Sequence, residues 1–293
     1  MVNIKQVLIC ALCRSNSILC ESHLVPQFVG DWLKNTSATG YLRGSDKPNL
    51  RRQGTEKPKL LCFDCEQRLS KREKLFADRV FYPFQNNGNQ SFVYENWLLY
   101  FAVSMAWRTS LRYFDVIQSA TPKLAILVEN AMETWRIFLL EENSNAGPFQ
   151  HHLFFFDYLS ANNSNVPDKF HWYTLRGIDT TLAYDEAEIY AYSKLPGMVF
   201  WCGIEPPERQ GWEGTLILDH GSMSTPQSTE DNEFGNFLHS RVDFAAESIK
   251  KTSEKQRQQV HQTALKDPTR LKNSQSLQTY IAEEYWRKQR EDD

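Results

Sequence analysis

The spacing of apolar residues in the first quarter of the chain predicts short strands followed by a helix. The apolar runs at 7–9 and 18–20 are too short for helices and predict two strands. A helical turn is expected at 29–34. The tract at 35–59 is polar and carries several Gly and Pro residues, which predicts a loop. Apolar residues then recur near helical spacing over 66–80, which predicts a helix.

The apolar spacing changes again in the remainder of the chain. Two amphipathic helices are predicted at 97–117 and 123–142, and Pro122 supports the start of the second. Beyond residue 150, short apolar or alternating runs separated by Gly, Pro and Asn predict strands. The predicted strands cover 153–158, 170–175, 188–192, 198–204 and 215–218. A polar loop is predicted at 222–232, and helices are predicted at 237–266 and 276–290.

The order of these elements predicts an α+β fold in two domains. The chain has 293 residues, which exceeds the usual size of one domain. Residues 85–91, Gln-Asn-Asn-Gly-Asn-Gln-Ser, have the composition of a linker. We therefore expect a small domain over 1–84. A larger mixed α+β domain over 92–293 would contain antiparallel strands and end in helices.

Two Cys-x-x-Cys pairs, Cys10/Cys13 and Cys62/Cys65, indicate a structural zinc site. Two residues between cysteines allow both sulfurs to reach one ion, and four thiolates complete its tetrahedral coordination. No apolar run approaches the roughly 20 residues of a membrane helix, and the start lacks a signal-peptide pattern. We expect a cytoplasmic protein without membrane association, where paired cysteines bind zinc more often than they form disulfides.

Charge is distributed unevenly along the chain. Residues 1–80 contain 14 Lys/Arg and 8 Asp/Glu, a balance of +6, whereas the whole chain has a net charge of −3. A basic first domain on an acidic body favours a polyanion-binding surface near the cysteines. Ordinary scatter of surface charges is the alternative explanation.

The first 80 residues contain, in order, Cys-x-x-Cys, Ser-His-Leu-Val-Pro and Leu-Leu-Cys-x-x-Cys-Glu. This series resembles the HNH endonucleases of the ββα-metal class, in which a zinc ribbon staples a β-hairpin to a helix. The resemblance implies that residues 1–84 form an HNH-like zinc-stapled domain. It also implies a metal-dependent enzyme that hydrolyses DNA phosphodiester bonds, of the kind found in mobile elements or anti-phage defence systems.

The resemblance implies a role for each residue at a motif position. His23 is the expected general base, because histidine accepts a proton near neutral pH. Glu66 is the expected ligand of a catalytic Mg²⁺ or Mn²⁺, with Ser22 as a second ligand. The chain departs from the family at three positions: Ser22 replaces an acid or His, Lys57 replaces an Asn, and Glu66 replaces a His or Asn. Glu73, two turns after Glu66, is expected to point to solvent.

Basic residues around the predicted loop and helix are candidates for phosphate contacts. Such contacts would position a DNA duplex without reading its sequence. The candidates are Arg43, Arg51, Arg52, Lys57, Lys59, Arg68, Lys71 and Arg72. The alternative for Lys71 and Arg72 is a solvated helix face.

The departures from the motif leave a non-enzymatic alternative open. In that alternative the zinc ribbon is an adaptor that binds nucleic acid or protein and has lost catalysis. The C-terminal helices could mediate a homodimer or bind a partner protein. His151 and His152 suggest a metal, but they precede a very apolar run, so packing at a strand edge is the favoured interpretation.

Overall fold

The computed structural model describes residues 7–88, 91–141, 145–157 and 166–291, with side chains as far as residue 289. Over these ranges the protein mixes α-helices with antiparallel sheets, as the sequence predicted. None of the described helices is both long and apolar enough to cross a membrane.

The N-terminal part is a three-stranded antiparallel sheet followed directly by a helix. Its strands, in the spatial order β1-β2-β3, are β1 (Val7–Ile9), β2 (Asn16–Glu21) and β3 (Lys59–Cys62). The first helix, α1 (Gln27–Asn35), lies between β2 and β3 in the chain. Helix α2 (Phe63–Phe76) begins at the residue after β3. Both predicted strands and the predicted helix are confirmed here, although α2 begins three residues earlier than expected.

The segment predicted as a linker is largely structured. A π-helical turn, Ala77–Phe81, joins α2 to α3 (Tyr82–Asn87), and β4 (Ser91–Tyr94) follows. Gln85 to Asn87 therefore belong to a helix, because the π turn lets the chain continue from α2 without a break. The prediction of a linker was wrong for these residues and for Ser91, while residues 89 and 90 lie outside the described ranges.

Two long helices form the centre of the molecule. They are α4 (Asn96–Ala120) and α5 (Pro122–Leu140), close to the predicted bounds. The predicted end of the second helix, at residue 142, lies outside the described residues. Helix α4 packs against α2 on one side and against the larger sheet on the other. The side chains of Leu61, Leu69, Trp107 and Trp135 share one buried core, so the two predicted domains contribute to the same interior.

The larger sheet has four antiparallel strands in the spatial order β5-β8-β7-β6. The strands are β5 (His151–Phe155), β6 (Asp179–Tyr184), β7 (Ile189–Leu195) and β8 (Met198–Glu205). Short runs of apolar or alternating apolar and polar residues predicted β5, β7 and β8. Strand β6 was not predicted. The predicted position 158 lies outside the described residues.

Residues 170–175 were predicted as a strand, and that prediction was wrong. They form α6 (Phe170–Arg176), because Phe170, Tyr173 and Thr174 lie on one helical face and are buried together. The end of α6 is also fixed electrostatically. The Nζ of the fully buried Lys194 donates hydrogen bonds to the carbonyl oxygens of Thr174 and Gly177 at 2.7 and 2.8 Å.

The region between β8 and the C-terminal helices differs from prediction in two ways. The predicted strand at 215–218 makes only an isolated bridge between His152 and Leu216. The predicted loop at 222–232 contains two short strands, because neighbouring strands supply hydrogen-bond partners that the sequence does not reveal. Strand β10 (Gly221–Ser224) pairs with β4, and β11 (Ser228–Thr229) pairs with β9 (Trp212–Glu213).

Four helices form the C-terminal part. They are α7 (Asn232–Lys250), α8 (Glu254–Leu265), α9 (Pro268–Asn273) and α10 (Gln275–Glu291). The single helix predicted at 237–266 is therefore two helices. The break occurs where the Ser253 hydroxyl accepts a hydrogen bond from the Gln256 N–H and caps the start of α8.

His151 and His152 are both 2% exposed on β5, an edge strand of the larger sheet, so the interpretation as strand-edge packing is confirmed. The His151 Nε2 lies 3.6 Å from the Cys202 Sγ. Burial lowers the pKa of His151 to about 3, with the neighbouring His152 as a smaller cause. Both effects keep His151 neutral in the folded protein.

This burial predicts a specific loss of stability in acid. In the unfolded chain His151 would titrate near pH 6.5, whereas in the folded protein it stays neutral. Protonation therefore favours the unfolded chain, and the folded protein loses stability as the pH falls below about 6.5. The free energy of unfolding of the wild type, minus that of His151→Leu, should therefore fall by about 2 kcal/mol when the pH is lowered from 7.5 to 5. Urea unfolding at each pH measures this difference. For the exposed control His220→Leu, the difference should stay constant, and a constant difference for His151→Leu would refute the argument.

Candidate metal centre and histidine cleft

The pairing of β2 with β3 brings the two cysteine pairs together. Cys10 and Cys13 lie in the turn between β1 and β2, Cys62 ends β3, and Cys65 lies in the first turn of α2. The four sulfurs all lie within 4.8 Å of one another, and the Cys13 and Cys62 Sγ atoms are 3.7 Å apart. A tetrahedral ion with Zn–S bonds of about 2.3 Å requires sulfur separations of about 3.8 Å. The cluster thus has the size to hold a metal ion such as zinc.

Backbone and side-chain hydrogen bonds orient the sulfurs. The Cys62 N–H donates to the Cys10 Sγ at 3.3 Å, and the Ser15 hydroxyl lies 3.0 Å from the Cys13 Sγ. Burial alone would raise the pKa of Cys13, but the combined influence of Ser15, Cys10 and Cys65 outweighs burial and lowers this pKa to about 6. Burial raises the pKa of Cys65 well above its ordinary value. Cys20 and Cys202 lie outside the cluster as free thiols.

His23 follows β2 directly and is half-buried. Backbone hydrogen bonds from Ser22 N–H to the Pro58 carbonyl (2.8 Å) and from Leu24 N–H to the Glu56 carbonyl (3.1 Å) hold the chain on both sides of it. Burial lowers the pKa of the His23 imidazole, while the nearby carboxylate of Glu73 partly opposes that shift. The imidazole is therefore neutral at pH 7, the state in which it can accept a proton.

Ser22 connects the strand of His23 to the helix of Glu66. Ser22 is 1% exposed, and its Oγ accepts a hydrogen bond from the Leu61 N–H at 3.1 Å. Burial raises the pKa of Glu66, and the nearby Ser22 hydroxyl partly opposes that shift. The Oε1 atom of Glu66 is buried and has no hydrogen-bond partner within the described structure. This oxygen is therefore available as a ligand for a cation.

Two further charged residues, Glu73 and Arg108, lie near His23 and Glu66, and sequence analysis missed the role of both. We call the site formed by these four residues and Ser22 the His23 cleft. Glu73 lies seven residues after Glu66, on the same face of α2. Its side chain is 18% exposed and forms an ion pair with Arg108 on α4, with an Nη1–Oε1 distance of 2.7 Å. The expectation that Glu73 points to solvent was wrong, because α4 packs against α2 and buries this face. The seven-residue spacing was the signal that could have placed Glu73 beside Glu66.

Arg108 is 3% exposed and links three parts of the structure: its own helix α4, helix α2 and the segment of His23. Its Nη1 also donates to the His23 carbonyl oxygen at 2.8 Å, and its Nε and Nη2 bond to the Ser104 carbonyl and hydroxyl oxygens at 3.2 and 3.3 Å. Its charge lowers the pKa of both His23 and Glu66, although burial is the larger cause of shift for each. One guanidinium thus fixes the backbone of His23 and neutralises the carboxylates around it.

The cysteines form a compact ligand cluster, whereas the cleft does not. Within the described ranges, one group of three or more His, Cys, Asp or Glu side chains has its ligand atoms this close together. Its members are Cys10, Cys13, Cys62 and Cys65. Glu66 and His23 therefore do not converge with a third such ligand. A divalent cation at Glu66 would have to keep much of its hydration shell, as Mg²⁺ commonly does.

Most of the predicted phosphate-facing residues make contacts within the protein. Arg43, Arg52 and Lys57 bond to neighbouring side chains or carbonyls. The Arg68 Nη1 donates to the Leu140 carbonyl at 3.0 Å, and the Arg72 guanidinium lies over the Tyr100 ring. Arg51, Lys59 and Lys71 are exposed, and the Arg51 guanidinium lies over the Tyr41 ring.

Comparisons with known proteins give no match for this chain among family models, curated proteins or solved structures.

Metal content tests the cysteine cluster. The purified protein should contain about one zinc ion per chain, and Cys62→Ser should reduce that content to near zero, because a tetrahedral site loses one of its four ligands. Elemental analysis and chelator titration measure it. Cys20→Ser is the matched control, because Cys20 lies on β2 outside the cluster. Equal metal loss from Cys20→Ser would contradict the assignment.

Arg108 should be important for stability, and the chain offers a matched control. Replacing a partner of a buried ion pair leaves the other charge uncompensated, so Arg108→Met should cost about 3–5 kcal/mol of unfolding free energy. Arg112, one turn later on α4, pairs with Glu56 at the same 2.7 Å, but both side chains are more than 40% exposed. Arg112→Met should cost under about 1 kcal/mol. Denaturant unfolding compares them, and equal losses would mean that burial of Arg108 is not decisive.

Proposed function

We propose that this protein is an HNH-type, metal-dependent endonuclease that hydrolyses DNA phosphodiester bonds. The observation that carries the proposal is that a neutral, half-buried His23 and a Glu66 carboxylate with a buried, unpartnered Oε1 share the same charged neighbours, Glu73 and Arg108. His23 lies two residues after the end of β2 and Glu66 lies in the first turns of α2, and the cysteine cluster ties these two elements together. The order β2-β3-α2, with α1 between the two strands in the chain, supports the ββα arrangement that the sequence resemblance implies.

In the proposed reaction, His23 accepts the proton of the attacking water. The neutral imidazole suits this role because a general base must be deprotonated at the working pH. The Glu73 carboxylate would stabilise the imidazolium that forms, because its negative charge raises the pKa of His23. Arg108 positions this base, because its hydrogen bond to the His23 carbonyl fixes the backbone that carries the ring.

Glu66 would hold the catalytic Mg²⁺ or Mn²⁺ through its free oxygen, together with water. When bound, such an ion would polarise the scissile phosphate and stabilise the leaving alkoxide. We assign Ser22 to orienting the Glu66 carboxylate, because the Ser22 hydroxyl is held by the Leu61 N–H and lies near enough to Glu66 to lower its pKa. Activity within a mobile-element or defence system stays a prediction of the resemblance.

One observation favours the adaptor alternative. The Arg108 guanidinium places a fixed positive charge beside both Glu66 and Glu73. This positive charge repels a divalent cation, and it already neutralises part of the negative charge of the two carboxylates. A zinc-stapled domain that binds nucleic acid or protein without catalysis would tolerate such an arrangement.

Nicking of supercoiled plasmid by the zinc-loaded protein, with Mg²⁺ or Mn²⁺, tests the proposal. His23→Ala and Glu66→Gln should each reduce the nicking rate by at least about 100-fold, the scale expected for loss of a general base or of metal-assisted catalysis. His220→Ala and Asp64→Asn are matched controls, since both residues are exposed and Asp64 shares the first turn of α2.

The outcomes separate the two candidate functions. Absence of nicking with either metal, in protein that retains zinc, would favour the adaptor. Nicking that survives His23→Ala would show that another group is the base. Equal loss of activity in the controls would point to a folding defect, whereas equal nicking by every variant would point to a contaminating nuclease.

A further inference from the structure

The loop between α1 and β3 rests on the junction between α7 and α8. The Ser248 hydroxyl donates to the Ser45 carbonyl at 2.7 Å, and the Ser253 N–H donates to the Asn49 Oδ1 at 2.8 Å. The Asn49 side-chain amide in turn donates to the Lys251 carbonyl at 3.4 Å. Segments about 200 residues apart in sequence therefore form one continuous surface.

Two arginines brace this loop from within. The Arg43 Nη1 donates to the Pro48 carbonyl and to the Gln256 Oε1, at 3.1 and 3.2 Å. The Arg52 Nη2 contacts both carboxylate oxygens of Asp46, at 2.7 and 2.6 Å. These guanidinium groups hold the loop in shape, so their main role differs from the phosphate contact that the sequence suggested.

The cations that project from this surface come from both segments. We call the surface formed by Lys47, Arg51, Lys251 and Lys255 the basic face. All four residues are exposed, and the three lysines form no ion pair with any part of the chain that the structure describes. Segments 43–52 and 247–257 together contain eight Lys/Arg and three Asp/Glu, in a chain whose net charge is −3. The contrast marks a local concentration of positive charge.

The basic face is joined to the His23 cleft by a few residues of the same loop. After Arg51 the chain reaches Thr55, whose hydroxyl donates to the Val25 carbonyl at 3.1 Å. The next residue, Glu56, accepts the Leu24 N–H beside His23. The loop that carries Lys47 and Arg51 is therefore also hydrogen-bonded to the segment that contains His23.

We propose that the basic face binds the phosphate backbone of duplex DNA and presents it to the His23 cleft. This inference rests on the proposed function for the choice of polymer. A braced loop favours binding because little conformational entropy is lost when its lysines meet phosphates. Contacts of lysines with phosphates carry no base information, so binding should be independent of DNA sequence and strongly dependent on salt.

Fluorescence anisotropy with a labelled 30-base-pair duplex tests the proposal, using zinc-loaded full-length protein without added Mg²⁺ or Mn²⁺. The variant Lys47→Gln/Lys251→Gln/Lys255→Gln should bind at least about tenfold more weakly at 100 mM salt. Its slope of log K against log salt should fall by about 2–3, at roughly 0.9 per lost phosphate contact. The control Lys74→Gln/Lys123→Gln/Lys288→Gln removes the same charge from exposed lysines elsewhere and should stay within about twofold of wild type.

Three outcomes would overturn the inference. The first is equal weakening in both triple variants, which would make net charge the cause. The second is absence of duplex binding by the wild type at 50 mM salt. The third is tighter, lysine-dependent binding to phosphatidylserine–phosphatidylcholine vesicles than to the duplex. Duplex binding that needs the three lysines, without nicking, would overturn the endonuclease but not the basic face. If the wild type nicks plasmid but the triple Lys→Gln variant binds the duplex as tightly as the wild type, the proposed role of the basic face is wrong and the endonuclease proposal stands.

Discussion

The packing of the four cysteine sulfurs against one another is the constraint on which the candidate site depends. The cluster joins the β1–β2 turn to the start of α2, and so sets where β2 ends relative to the first turn of that helix. His23 and Glu66 each lie within a few residues of those fixed points. A short sheet with an exposed outer face buries little apolar area, so a bound metal would supply much of the rigidity that the cleft needs.

The buried Arg108 gives the second constraint, because it makes the cleft a joint product of two regions of the chain. Helix α4 is buried along most of its length between α2 and the larger sheet. Arg108 can reach the His23 carbonyl and Glu73 only when that packing is complete. The shared core and this ion pair mean that the N-terminal elements are positioned by the body.

Local sequence patterns predicted the cysteine cluster well but did not predict which residues surround His23. The reason is physical. The spacing of each cysteine pair fixes two ligands within one turn, so Cys10, Cys13, Cys62 and Cys65 are readable from sequence. Arg108 is not readable, because its partners Glu73 and His23 lie 35 and 85 residues away and meet it only through helix packing. Aromatic composition misled the assignment of α6, where side chains that also favour strands occupy one buried helical face.

The arginines and lysines around the cleft and the basic face divide into two groups according to whether their donors have partners within the protein. Arg108, Arg43 and Arg52 have their donors bound to carbonyl, amide or carboxylate oxygens, which suits the fork geometry of guanidinium and makes them structural. Lys47, Lys251 and Lys255 instead project into water without partners in the described structure. Point charges on long side chains of this kind can follow an irregular phosphate backbone. The hydrogen-bonded guanidinium groups instead hold the loop and the segment of His23 in place. The division explains how a chain with a net negative charge can still offer a polyanion a defined binding face.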